Sequence, residues 1–148
     1  MNSIKSGFAF HVYDCQLVDF CFDYDEKVEV IKEDKYQDEQ ALRLRLLQII
    51  PKSRLPRPLV EAIKAYDGAI KALDEARNAL DEDKNAYGDA KKAYDRAWEA
   101  CNRTVDACYE VLKVCEPELI KLHEELCPNC PWNGSTIFTR RDENNQWY

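Results

Sequence analysis

Residues 65–120 divide into eight consecutive heptads: AYDGAIK, ALDEARN, ALDEDKN, AYGDAKK, AYDRAWE, ACNRTVD, ACYEVLK and VCEPELI. The second place is held by Tyr66, Leu73, Leu80, Tyr87, Tyr94, Cys101, Cys108 and Cys115, and the fifth in the early heptads mostly by Ala69, Ala76, Ala90 and Ala97. These places alternate at spacings of three and four, so they line one face of a helix. An unbroken period of seven keeps that face against a second helix. The first place is Ala as far as Ala107 and is expected to widen the seam. Two topologies satisfy the pattern. One is a continuous helix from Pro58 to Cys115, about 85 Å long at 1.5 Å per residue, paired between chains as a homo-oligomeric coiled coil. The other is an antiparallel helical hairpin turning near 83–88, where Asp83, Asn85 and Gly88 weaken the helix. The nearly equal arms suit the hairpin. The heptad phase running through the turn favours the continuous helix.

Before the heptads the period changes. Residues 8–13 and 17–24 alternate as strands, with Val18, Phe20, Phe22 and Tyr24 on one face and Asp19, Cys21 and Asp23 on the other. The aromatic face is expected to be the buried one, in a β-hairpin turning at 14–16. A lone hairpin is marginal, so the following segment is expected to cover it. That segment is a helix capped by Asp25, then a second capped by Asp38 and running over 39–49, with Leu42, Leu46 and Ile49 as its stripe. Pro51, Pro56 and Pro58 mark a stiff connector. After the heptads, Pro117 suits a new helix start, with Leu119, Leu122 and Leu126 inward. Residues 135–139 then read as a strand, Trp132 and Phe138 as packing on the last helix, and the end with Trp147 as loose. The predicted fold is mainly α with a small α+β N-terminal head (1–50), a Pro/Arg-rich neck (51–57), the heptad helix or hairpin (58–115) and a short Cys-containing C-terminal tail (116–148).

The net charge of −7 argues against a general nucleic-acid coat or a membrane-surface binder. The charge is uneven: residues 41–60 hold five bases and no acid, while residues 1–40 hold four bases and ten acids. Arg43, Arg45, Lys52, Arg54 and Arg57 are thus a candidate patch for phosphate, nucleic acid or an acidic partner, against the plainer reading that they pair with nearby acids. No apolar run reaches membrane-span length, and seven cysteines without an export signal favour reduced thiols or metal ligation in a cytoplasmic protein.

The chemistry-bearing motif is His123-x3-Cys127-Pro-Asn-Cys130. A C-P-x-C turn presents two thiolates to one ion, and a histidine one helical turn upstream adds a third ligand for zinc. The fourth would come from Cys115, Cys15, Cys21 or another chain. The same pair is also read as an inert structural turn or a redox dithiol. Cys101, Cys108 and Cys115 lie seven apart, about 10 Å along a helix, and read as small buried hydrophobes. No nucleophile–base set, phosphate loop or His-Glu-x-x-His is present, and two histidines leave little general-base chemistry. The chain therefore reads as a non-enzymatic protein-binding or scaffolding protein. Its alternatives are a phage-type inhibitor or decoy that blocks a partner macromolecule, and a small zinc-binding or thiol-redox protein.

Overall fold

The computed structural model describes residues 5–82 and 87–148, the side chain of Tyr87 excepted. It is mainly helical with one small sheet: β1 (Gly7–Phe10), β2 (Val18–Cys21), α1 (Tyr24–Asp34), α2 (Gln37–Leu46), β3 (Gln48–Ile49), a 3₁₀ turn at Lys52–Arg54, α3 (Arg57–Glu82) and α4 (Tyr87–Leu126). The chain divides into two compact units, Met1–Leu55 with Pro117–Tyr148, and Pro56–Glu116. The tail after the heptads therefore folds with the N-terminal residues.

In the first unit the sheet order is β2-β1-β3, antiparallel throughout. The β2 alternation is real, but both of its faces are covered rather than the aromatic one alone. Asp19 and Cys21 are buried, while Phe22 is 57% exposed. The register explains the burial of Asp19 and Cys21: they lie opposite the small residues Ala9 and Gly7 of β1. These small side chains let Ile31 of α1 and Leu47 close onto that face, with Val12 completing the cluster. Asp19 tolerates burial because its carboxylate accepts the backbone N–H of Phe20 at 2.7 Å. Phe8 and Phe10 fill the other face, Phe8 meeting Phe20 edge-on.

The helix boundaries also move. Asp23, not Asp25, caps α1, accepting from the N–H groups of Asp25 and Glu26. The second helix starts at Gln37 with no side-chain cap and stops at Leu46, because Gln48 and Ile49 pair with Phe10 and Ala9 as β3. Leu42 and Leu46 are buried as predicted. Helix α4 runs through Pro117 rather than restarting there. The carbonyl deprived of its partner is that of Lys113, an exposed residue whose carbonyl water can satisfy. Residues 135–139 are not a strand. Asn133 accepts from the N–H groups of Ser135 and Thr136 and folds the segment into a turn, and the Ile137 N–H bonds the Asp14 carbonyl. Ile137, Trp132 and Phe138 pack on Leu42 and Leu46 of α2. The end is tied down: Arg141 bridges Trp147, the Trp147 N–H bonds Asp38, and the Arg141 side chain pairs with Asp38 at 3.1 Å.

In the second unit the heptads form two helices rather than one. The Cys108 thiol donates to the Ala62 carbonyl at 3.6 Å. In a single straight helix those residues would stand roughly 70 Å apart at 1.5 Å per residue. Helix α4 therefore comes back against α3; positions 83–86 of the expected turn lie outside the described residues, and Gly88 is exposed near the start of α4. The continuous helix, and the homo-oligomer inferred from it, lose their premise, since the hairpin covers its own seam. Leu73 and Cys101 are buried, and Tyr66, Ala69, Ala76, Leu80, Ala90, Tyr94, Ala97 and Cys108 are half-buried. Burial and the nearby Cys101 thiol, Asp67 and Cys108 thiol push the Tyr66 hydroxyl up from its ordinary range. Most of the described first-place alanines do not widen the seam: Ala65, Ala72, Ala79, Ala93 and Ala107 are exposed, and Ala100 is half-buried. One neighbouring helix covers only a narrow stripe, and Trp98 stays 53% exposed.

Two adjacent positions test this arrangement by urea unfolding. Leu73→Ala empties a buried seam site and is expected to cost about 2–5 kcal/mol. Ala72→Leu, on the exposed place, is expected to stay within about 0.5 kcal/mol of the parent. Equal losses at both would contradict a single-seam hairpin.

Candidate metal centre

Four side chains from three separate parts of the first unit converge on one point. His11 follows β1 with a left-handed backbone (φ 56°), which ends the strand and re-aims the side chain. Its N–H bonds the Leu17 carbonyl at 3.0 Å, closing the turn to β2. His123 lies in the last turn of α4, against the edge of Phe10. Cys127 follows that helix directly, its N–H on the His123 carbonyl. Cys130 is brought back by a tight turn in which Pro128 holds the second position and Asn129 is left-handed (φ 63°), with the Cys130 N–H on the Cys127 carbonyl at 3.3 Å. Proline followed by a positive-φ residue is the type II pattern, which explains Pro-Asn between the cysteines.

The donor atoms of His11, His123, Cys127 and Cys130 all lie within 4.8 Å of one another. The two Nε2 atoms are 3.0 Å apart, and the Cys130 Sγ is 3.2 Å from the His11 Nε2. In a tetrahedral zinc site with Zn–N of about 2.0–2.1 Å and Zn–S of about 2.3 Å, nitrogens stand roughly 3.3 Å apart and nitrogen and sulfur roughly 3.6 Å. For these two pairs a few tenths of an ångström separate the two arrangements; the set as a whole spans up to 4.8 Å, against roughly 3.8 Å between sulfurs on one zinc, so binding would draw the donors together. Both histidines are buried, His11 at 3% exposure and His123 at 7%, while both cysteines are half-buried. Cys127 is held well above the usual thiol range by its hydrogen bond to Cys130 and by burial, and Cys130 is held well below it, by that bond first and by His11 and His123 further, against burial. A divalent cation is the group that lets both sulfurs be thiolates at once. These four residues fit one by donor type, number and spacing. The His11 Nδ1 is buried without a partner; packing against Phe10, His123 and Trp132 orients that ring.

Of the sequence-derived candidates, His123, Cys127 and Cys130 are brought together. The proposed fourth ligands are not. Cys115 is buried on α4 in the other unit, Cys15 is exposed, and Cys21 is in the core under α1. The fourth donor is His11, the only other histidine in the chain. The basic segment is partly neutralised. Arg43 pairs with Glu39 at 2.9 Å and Asp14 at 3.3 Å and lies over Phe138, and Arg54 pairs with Glu125. Arg45, Lys52 and Arg57 are exposed. No helix of the described residues is long and apolar enough to cross a membrane. Comparison with protein-family models, with curated proteins and with solved structures gives no match.

The thiols outside the cluster differ in access, and timed alkylation of the reduced protein reads this out. Cys15, exposed in the β1–β2 turn, is expected to be modified first. Burial pushes the Cys21 thiol up, opposed by Lys27, so at any given pH less of it is thiolate. Its modification is expected to lag and to require a more alkaline pH, and early labelling of Cys21 at neutral pH would contradict its place in the core.

Proposed function

We propose that this chain is a non-enzymatic protein-binding or scaffolding protein whose first unit is held together by a structural zinc ion on His11, His123, Cys127 and Cys130. The observation that carries the reading is the convergence of these donors, two imidazoles and two half-buried thiols, within 4.8 Å. Soft thiolates with imidazole select zinc over calcium or magnesium. Four protein ligands close the coordination sphere, and a catalytic zinc keeps one position for water or substrate. The zinc supplies a cross-link and charge neutralisation. The protein residues do the positioning: the left-handed turn at His11, the end of α4 at His123 and the Pro-Asn turn between the cysteines. The helical hairpin of the second unit supports the binding role, because it carries an exposed aromatic, Trp98, and a ladder of exposed alanines.

Native mass spectrometry is expected to show one zinc per chain, lost with a strong chelator and absent from His11→Ala. At zinc a thousandfold above its dissociation constant, binding contributes about 4 kcal/mol to folding, so chelation is expected to lower the melting temperature by many degrees. A chain of bare mass whose melting is indifferent to chelator would remove the zinc reading. Cobalt substitution separates structural from catalytic use. A closed site gives a tetrahedral spectrum unchanged by azide, and a spectral shift on adding azide would show an open position and overturn the non-enzymatic assignment.

A further inference from the structure

The two sulfurs of the cluster are placed for more than ligation. Cys127 and Cys130 stand at the two ends of a single tight turn closed by the Cys130 N–H on the Cys127 carbonyl. The turn fixes their α-carbons less than about 7 Å apart, inside the range that a disulfide spans. Both are half-buried, whereas the histidines that share the site are buried. A small reagent therefore meets the sulfurs before the nitrogens. The remaining thiols lack this arrangement: Cys21, Cys101 and Cys115 are buried, Cys108 bonds the Ala62 carbonyl, and Cys15 is exposed in a turn.

We infer that the site is a peroxide-sensitive zinc switch, in which oxidation of Cys127 and Cys130 to a disulfide expels the ion. The inference rests on the zinc reading above and adds its regulation. One thiolate attacks a hydroperoxide, forming an S–O bond and breaking O–O. The leaving oxygen takes up a proton, and the sulfur becomes a sulfenic acid. The neighbouring thiolate then attacks that sulfur, forming S–S, and the departing hydroxide takes up the second proton. For hydrogen peroxide the sum is two thiolates, one peroxide and two protons giving one disulfide and two waters. The two sulfurs lose two electrons and the peroxide gains them. A disulfide is no longer an anionic ligand, so His11 and His123 alone are left to hold zinc, and it leaves as the aqueous ion. The strand end that carries His11 is then no longer joined to the turn after α4.

The test uses the full-length chain with Cys15→Ser, which removes the exposed competing thiol, and starts from its measured zinc content. Hydrogen peroxide is added with a chromogenic zinc indicator, and disulfides are mapped by mass spectrometry. The expected result is release of one equivalent of zinc in step with a Cys127–Cys130 disulfide, and rebinding after reduction with dithiothreitol. Zinc retained under peroxide, or lost with any other sulfur product, overturns the switch while leaving the measured metal content, and so the zinc centre, standing. A chain with no zinc at the outset overturns the zinc reading and the switch with it.

Discussion

The structure of the first unit depends on one convergence, that of a strand-end histidine with a histidine and two cysteines more than a hundred residues later. The elements around it are small. The strands are four, four and two residues long, and a sheet of that size has little hydrophobic area of its own. Phe10 and His123 in edge contact, and Ile137 between Leu42 and Leu46, supply the packing. A metal bond at the same point would tie residue 11 to residues 123–130 and close a very long loop. By the chain-entropy model a covalent cross-link over that length is worth about 4–5 kcal/mol, comparable with the whole stability of many small domains.

The second unit rests on a different balance. Its seam alternates alanine with Tyr or Leu, so the helices approach over small residues and the larger ones fill the gaps. The buried positions among its described residues are few: Leu59, Ile63, Leu73, Cys101 and Cys115. Exposed ion pairs such as Lys91–Asp95 and Lys113–Glu110 add little individually. Apolar burial along one stripe, not charge, is what holds α3 to α4.

The heptads were legible because periodicity is a local property, and they gave the helices and the seam residues Tyr66, Leu73, Leu80 and Tyr94 directly. They did not distinguish a partner helix in the same chain from one in another, since both bury the same face. The strands of the sheet were legible as alternation, but the burial of their second face was not. Hydrophobicity pointed to Phe20 and Phe22, whereas helix packing selected the side with Ala9 and Cys21, where small residues permit close approach. At the metal centre, the local turn announced Cys127, Cys130 and His123 through spacing. His11 carried no spacing signal, because its relation to the others is purely tertiary. The usable clue was stoichiometric: three of four ligands were in hand and one histidine was unassigned, at the end of an alternating run where a strand residue no longer had to face the core. Pro117 was misread because proline is a breaker by propensity, while a solvent-facing carbonyl one turn earlier tolerates its missing N–H.

The separation of His11 from the groups it meets sets an order on biosynthesis. The ribosome makes His11 more than a hundred residues before His123 and Cys130, with the entire heptad region translated between them. Until those residues emerge the nascent strand holds one imidazole whose neighbours are not yet made, so the first strand must wait for them. Helices α3 and α4 are free to zip up locally in the meantime, and the first unit is completed last although its sequence starts first.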